Sequence, residues 1–196
     1  MLVARRALLT LSVQLAAAGI VKAASADENS AHENLEYRDG WLVWGEGRAR
    51  AAVGRAGVTT HKTEGDGATP TGMFPLISAF YRADRIMPPR TRLPFRALQP
   101  SDAWVDDPAD GNYNRLVELP YPAHTEPMWL DDPVYDLLVV IGYNMAPVVR
   151  GAGSAIFLHV ARPDFSPTAG CIAIEKSALV SLLPLLGPGS MMTIRI

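Results

Sequence analysis

The sequence predicts a mainly β domain: a β-sandwich of mixed sheets with one C-terminal helix and a long proline-rich loop insertion. Apolar runs of strand length alternate with glycine-containing turns, and the middle of the chain holds too much proline for helices. One amphipathic stretch near the C-terminus fits a helix. The chain has 196 residues, which is long enough for one domain with a hydrophobic core.

The first 26 residues have the pattern of a secretory signal peptide. Arg5 and Arg6 precede a mostly apolar run over residues 7–21, and Ala-Ser-Ala fits a cleavage site. The run is shorter than the about 20 residues of a membrane span, so we expect no stable span after cleavage. An uncleaved anchor and a buried helix are the alternatives. The sequence therefore predicts export, to the periplasm, of a mobile leader (residues 27–39) and a domain (residues 40–196).

Short apolar segments predict the first strands of the domain. Residues 41–44 and 48–53 flank a Gly-Glu-Gly turn, which indicates a β-hairpin. Residues 74–81 form another segment of strand length after a glycine-rich loop.

The proline-rich insertion follows. Residues 88–133 contain nine of the sixteen prolines, a density that excludes long helices. Residues 101–136 hold nine acidic residues, with Arg115 as their single basic residue. The insertion predicts long ordered loops over a sheet, and such loops often carry function.

The C-terminal third predicts regular elements again. Residues 137–143, 155–159 and 171–174 are apolar runs typical of buried strands. Residues 176–183 predict a helix that a proline ends, and residues 191–196 predict a last strand.

Charge and ligand-forming side chains argue against two classes of function. The formal net charge of −2 gives no basic surface for nucleic acid, so no nucleic-acid partner is expected. The acidic residues of the insertion and His124 do not follow a metal-ligand spacing, so no metal site is predicted.

The chain has one cysteine, Cys171, and His159 ends the apolar run before it. If the two strands are neighbours, the loop between them returns the thiol to the imidazole. A thiol attacks carbonyl groups as the thiolate, and an imidazole that takes the proton makes that form available. From the spacing alone, an inert buried cysteine and a histidine that caps a strand explain the pattern equally well.

A glycine directly before the cysteine allows a tight turn. Such a turn directs the backbone N–H groups of Ala169, Gly170 and Cys171 to one point. These groups predict an oxyanion hole, in which each donor contributes about 3 kcal/mol.

Four further residues are candidates for substrate binding. Tyr143 and Asn144 follow the long apolar run, and we expect that strand end to face the same opening as His159. Tyr113 and Arg115 lie among the acids of the insertion, where an arginine suits a carboxylate. The structural alternatives are a strand-end tyrosine with its hydroxyl in water and an arginine paired with a neighbouring aspartate.

Two motifs resemble those of the L,D-transpeptidase catalytic domain family (YkuD-like). Thr-Ala-Gly-Cys-Ile at 168–172 is similar to the family's S/T-x-G-C-h signature, where h is hydrophobic, and His159 lies where the family has its catalytic histidine. Residues 65–74 look like the family's G-D…T-P-x-G-x-F segment. Two separate motifs in the right order are more specific than either alone, and the resemblance covers residues 40–196.

The resemblance implies an enzyme that acts on peptidoglycan outside the membrane without a metal or organic cofactor. Cys171 would attack a carbonyl on an L-centre of a donor stem peptide, and an amine of diaminopimelate on a second stem would resolve the thioester into a cross-link. His159 would be base and acid, the Val160 carbonyl would orient its ring, and N–H groups around Gly170 would hold the oxyanion. The implied partners are donor and acceptor stem peptides.

The chain departs from the family pattern at three points. Ala173 stands where the family usually has arginine, Ala169 stands where it often has histidine, and the interval from His159 to Cys171 is compact. The missing arginine removes a guanidinium group that can bind a carboxylate through two hydrogen bonds. The chain therefore resembles a divergent branch associated with 1,3 cross-links between L-Ala and diaminopimelate, and this link is slightly favoured over the 3,3 link.

Two alternative functions stay open at this point. A hydrolase on the same scaffold, an L,D-carboxypeptidase or amidase, shares the thioester and differs in its acceptor. A wall-binding module that lost activity with the arginine is the non-enzymatic alternative. A papain-like peptidase is disfavoured, because there the cysteine precedes the histidine and lies on a helix.

Overall fold

A computed structural model describes residues 32–196, so the predicted signal peptide lies outside the described residues. Within that range, no helix is long and apolar enough to cross a membrane. The strands are, in chain order, β1 (Leu35–Arg38), β2 (Trp41–Trp44), β3 (Gly47–Ala52), β4 (Val58–Thr59), β5 (Thr69–Pro70), β6 (Gly72–Tyr81), β7 (Phe95–Ala97), β8 (Asp102–Val105), β9 (Leu116–Glu118), β10 (Thr125–Pro127), β11 (Leu137–Ile141), β12 (Phe157–Val160), β13 (Ile172–Ile174) and β14 (Met191–Ile194).

Nine of these strands form one sheet that closes on itself into a sandwich, because β11 also pairs with β6. β3 and β6 belong to both layers: β6 pairs first with β14 and then with β11, and β3 pairs with β2 and then with β13. One layer has the order β3-β2-β1-β14-β6 and the other β7-β6-β11-β12-β13-β3. Parallel pairs, such as β12 with β13, stand among antiparallel ones. The predicted mixed β-sandwich is therefore confirmed.

The sheet begins before the predicted domain boundary. β1 pairs with β2 and with β14, and its Leu35 and Tyr37 side chains are buried. This corrects the extent of the predicted mobile leader, because residues 35–38 belong to the sandwich. A strand of four residues with two apolar positions gives too weak a pattern to be recognised within a polar segment.

Side chains of β11, β12 and β13 alternate between two apolar clusters, as the period of two residues in a strand requires. Leu158 and Ile172 point into the inner cluster, between the two layers. Phe157 and Cys171 point to the opposite face, into a second cluster. The candidate nucleophile therefore lies on the outer face of the sheet.

The proline-rich insertion covers this outer face. It was predicted as ordered loops, but it contains β7 and a small sheet of order β10-β8-β9. The Trp104 and Tyr135 rings pack edge-on against Phe157, with centroid distances of 5.1 and 5.8 Å. Strands of three or four residues between prolines give almost no periodic signal, which explains why they were missed.

One α-helix, α1 (Lys176–Leu182), follows β13 within the described residues, as predicted. Leu179 and Leu182 are buried in the inner cluster. The proline lies in a 3-10 turn, Leu183–Leu185, that continues from the helix.

Candidate active site

Cys171 lies directly before β13, at the edge of the outer face. Its sulfur donates to the Ala155 carbonyl oxygen at 3.2 Å and accepts from the Phe157 N–H at 3.4 Å. The residue is only 7% exposed. Cys171 also lines a cavity of about 350 Å³, so this buried residue lies at a cavity wall.

His159 lies within β12 and faces the same cavity. Its Nδ1 is 2.9 Å from the Val160 carbonyl oxygen, a contact that fixes the ring when Nδ1 carries the proton. Tyr135 packs edge-on against the imidazole, with ring centroids 5.4 Å apart. The contact with Val160 leaves Nε2 as the nitrogen for proton exchange.

The parallel pairing of β12 and β13 sets the relation between the two residues. Leu158 is level with Ile172 and His159 with Ala173, so Cys171 is level with Phe157 and lies diagonally from His159 on the same face. The loop after β12 runs back along the sheet to the start of β13. No hydrogen bond joins the sulfur and the imidazole in the described part of the chain, and the thiol donates to Ala155 instead.

Burial keeps both groups neutral in the resting site. Desolvation, with a smaller contribution from Glu126, raises the pKa of the Cys171 thiol to about 12. Desolvation lowers the pKa of His159 to about 4, although the contact with Val160 opposes this shift. Both shifts favour a neutral thiol and a neutral imidazole over an ion pair in the resting site.

The turn before Cys171 depends on glycine. Gly170 has φ of +147°, and a Cβ at this position would lie 2.9 Å from the Ala68 carbonyl oxygen. The Thr168 hydroxyl accepts from the Gly170 N–H at 3.1 Å and donates to the Cys171 carbonyl at 2.7 Å. Of the three N–H groups predicted for an oxyanion hole, that of Gly170 thus already has a partner.

The upstream motif supports this turn. Asp66 accepts from the Ala68 N–H at 2.8 Å and from the Lys62 ammonium at 2.6 Å, and so closes the loop that carries Ala68. The Thr69 hydroxyl then donates to the Gly170 carbonyl. The two motifs are far apart in sequence and in direct contact in space.

One comparison with known proteins, the one with protein-family models, found a match. The model of the L,D-transpeptidase catalytic domain (YkuD) matches residues 27–195. The chain belongs to this family. Members of the L,D-transpeptidase family are cysteine-based transpeptidases that act on peptidoglycan stem peptides. Comparisons with curated proteins and with solved structures gave no match.

Position 173 of this L,D-transpeptidase domain lies beside the imidazole. Ala173 pairs with His159 on one side and with Ala52 of β3 on the other, and it is buried. Its methyl group brings no charge to the outer face. Any carboxylate of a donor must therefore be met by side chains from other elements.

The cavity walls carry charged residues that the sequence analysis did not select. Acidic and basic side chains both line it: Glu64, Asp106, Glu126, Arg55, Lys62 and Arg162. The insertion contributes Glu126, and Tyr135 lies just after it, in a 3-10 turn (Pro133–Tyr135); the Tyr135 hydroxyl donates to the Glu126 carboxylate. No local motif marks either residue, since neither the small sheet that positions Glu126 nor the turn that carries Tyr135 was predicted.

Two predicted substrate-binding residues lie away from the cavity. β11 runs antiparallel to β12, and His159 pairs with Leu138 near the start of β11. The far end of β11 is therefore distant from His159, which corrects the expected common opening. The Tyr143 hydroxyl donates to the Ala152 carbonyl, and Asn144 bonds backbone groups of the following loop, so both organise that loop.

The other two predicted binding residues also do not line the cavity. The Tyr113 hydroxyl donates to Glu64, and Tyr113 is buried behind the cavity wall. Arg115 donates to the Met145 carbonyl at 2.9 Å and lines a second cavity. Backbone carbonyls hold the Arg115 guanidinium, and its binding of a carboxylate stays a prediction.

Metal binding was not predicted from the sequence. Over residues 32–196, no group of three or more histidine, cysteine, aspartate or glutamate side chains has the arrangement to hold a metal ion.

Proposed function

We propose that this protein is a peptidoglycan L,D-transpeptidase that forms stem-peptide cross-links through a thioester on Cys171. The observation that carries the proposal is that Cys171 and His159 face one cavity from the same side of the sheet. A carbonyl group in that cavity can reach both residues. Family membership makes a stem peptide the expected donor.

In the first half-reaction, the sulfur attacks a carbonyl carbon on an L-centre of the donor. His159 takes the thiol proton at Nε2 while Val160 holds Nδ1, and the imidazolium gives that proton to the leaving amine. The C–N bond breaks and a C–S bond replaces it. Because neither residue is charged at rest, proton transfer accompanies attack and needs no stored ion pair.

The oxyanion is assigned to backbone N–H groups of the turn before Cys171. Ala169 and Gly170 line the cavity with the nucleophile. The Gly170 N–H must release Thr168 or share its proton to act as a donor. The N–H groups of Ala169 and Cys171 complete the proposed set.

In the second half-reaction, an amine of a second stem attacks the thioester and the cross-link forms. The 1,3 link between L-Ala and diaminopimelate is favoured slightly over the 3,3 link, since Ala173 supplies no carboxylate-binding arginine. The reaction requires export, and the basic and apolar start of the sequence supports a periplasmic location.

The test is incubation with defined muropeptides, followed by mass spectrometry of the protein and of the linkage. Wild type should gain the mass of an acyl group and release a cross-linked product, and Cys171→Ala should do neither while it stays folded by circular dichroism. Cross-linking by Cys171→Ala would refute the proposal. Trimmed stems without cross-links would identify a hydrolase, and muropeptide binding without either product would identify a wall-binding module.

A further inference from the structure

Glu126 is a half-buried carboxylate that the first half-reaction does not use. It lies on β10 and lines the same cavity as Cys171 and His159. Its Oε1 accepts from the Tyr135 hydroxyl, and Tyr135 also packs against the imidazole. No lysine, arginine or histidine forms an ion pair with Glu126 in the described residues.

The other acids of the cavity wall are engaged differently. Glu64 accepts from two hydroxyl groups, those of Tyr113 and Ser154. Asp106 lies 2.6 Å from the exposed ring of His124. Neither Glu64 nor Glu126 forms an ion pair within the described range, and Glu126 differs in that its partner, Tyr135, also packs against the His159 ring.

The second half-reaction has a proton requirement that one histidine does not meet. An aliphatic amine has a pKa of about 10, so it enters the site as an ammonium ion without a nucleophilic lone pair. It must lose one proton before attack and another as the new C–N bond forms. His159 can take only one of these two protons. The imidazolium that results becomes neutral again only after the attack, when the departing thiolate takes that proton.

We propose that Glu126 binds the acceptor ammonium group and takes its first proton, an assignment that rests on the proposed transpeptidase function. The ammonium and the carboxylate become an amine and a carboxylic acid. The amine attacks the thioester, the C–S bond breaks, and the second amine proton passes through His159 to the Cys171 sulfur. Glu126 then releases its proton to water as the product leaves.

The surroundings of Glu126 suit a base. Burial first, and then the charges of Asp106 and Glu64, raise its pKa, while the bond from Tyr135 lowers it. A carboxylate with a raised pKa is a stronger base than an exposed one, and its attraction for a cation is screened less by solvent. The ionisable groups around it come from several elements: Tyr135, Asp106, Glu64, Cys171, His159, Lys62 and Arg162.

The test separates the two half-reactions. Glu126→Gln keeps an oxygen for the Tyr135 hydroxyl and removes the charge. The acyl-enzyme is formed with donor peptide and isolated, and its decay is followed with two acceptors: a diaminopimelate-containing stem and hydroxylamine, which is neutral at about pH 7. Glu118→Gln, an exposed change on β9 outside the cavity, is the matched control.

E126Q should still form the acyl-enzyme, and acylation should be no slower than in wild type, because the Glu126 charge is one of the causes that raise the pKa of the Cys171 thiol. The isolated acyl-enzyme of E126Q should react with hydroxylamine normally. Its reaction with the diaminopimelate acceptor should fall roughly tenfold or more at about pH 7. The deficit should shrink as the pH rises toward the pKa of the amine, because the free amine needs no base. E118Q should match wild type throughout.

Unchanged reaction of E126Q with the diaminopimelate acceptor would overturn the inference, and so would equal losses with both acceptors, which would mark a structural role. If E126Q fails to fold, E126D is compared with wild type in the same way. Its shorter side chain moves the carboxylate, so the reaction with the ammonium acceptor should slow more than the reaction with hydroxylamine. A wild type that forms no acyl-enzyme would instead overturn the proposed function, and this inference with it.

Discussion

The Thr69 hydroxyl donates to the Gly170 carbonyl oxygen at 2.8 Å and accepts from the Gly54 N–H at 2.9 Å. Thr69 belongs to the upstream motif and Gly170 to the cysteine motif, 101 residues later. Thr69 is 0% exposed, so water cannot replace either bond. The upstream motif therefore holds the turn that carries Cys171.

Replacing this hydroxyl should destabilise the domain. Thr69→Val keeps the side-chain shape but leaves a buried donor and a buried acceptor without partners, so the free energy of unfolding should fall by about 2–4 kcal/mol. Urea denaturation measures the change. Thr69→Ser keeps the hydroxyl and should lose about 1 kcal/mol or less; equal losses in the two variants would argue that packing, not hydrogen bonding, explains the effect.

A side chain at position 170 should disturb the nucleophile itself. Gly170→Ala places a Cβ against the backbone of Ala68 and demands a φ that alanine rarely adopts. We expect a loss of roughly 1–3 kcal/mol in stability and a slower acylation of Cys171, read from thermal unfolding and from the mass of the acyl-enzyme.

Gly111→Ala is the matched control, because a Cβ there meets no atom within 4 Å and its φ is ordinary. It should leave both measurements unchanged. Full acylation of Gly170→Ala at the wild-type rate would show that the turn tolerates a shift.

The pH dependence of acylation should reflect the buried imidazole. His159 must be neutral to take the thiol proton, and burial lowers its pKa to about 4. The rate of acyl-enzyme formation should therefore persist well below the ordinary histidine pKa of about 6.5 and fall only as the pH approaches about 4. A stopped-flow or quenched series between about pH 4 and pH 8 tests this, and a midpoint near 6.5 would contradict it.

Stability should follow the same group. Between the unfolded pKa of about 6.5 and the folded value of about 4, the unfolded chain binds a proton that the folded chain does not. The contribution of His159 to stability is therefore complete above pH 6.5 and is lost as the pH falls toward 4, by roughly 3 kcal/mol. The pH dependence of urea unfolding should be shallower over this window in His159→Gln; identical slopes would contradict the assignment.

The resting thiol should react slowly with alkylating reagents. Because burial raises the pKa of Cys171 to about 12, little thiolate exists at neutral pH. Iodoacetamide labelling of the folded protein should be slower than that of the same protein in urea, and its rate should keep rising above pH 9. Fast labelling with a plateau near neutral pH would instead indicate a thiolate–imidazolium pair.

Much of the sandwich could be predicted from apolar runs, and the motif predicted that Cys171 and His159 lie at one opening, which they do. The hairpin of β2 and β3 and the strands β11 to β13 have clear apolar patterns, so they were found close to their observed bounds. The strands of the insertion were not, because each is three or four residues long and its stability comes from packing Trp104 and Tyr135 on the sheet rather than from local preference.

The polar surroundings of the nucleophile were the hardest part to predict. Tyr143 was expected near His159 because both follow apolar runs, but strand direction decides which ends meet, and the sequence does not show that β11 and β12 are antiparallel. Glu126 reaches the cavity only through long-range pairing of β10 with β8. Contacts of this kind depend on topology, which no local pattern encodes.

Two separate parts of the polypeptide line the cavity. Cys171 and His159 belong to the closed sheet, whereas Asp106, Glu126 and Tyr135 all belong to one continuous stretch laid over it. If the proposed function holds, exchanging or reshaping that stretch should change which amine is accepted and leave the residues that form the thioester in place. Grafting the stretch between relatives is accordingly a practical route to altered acceptor choice.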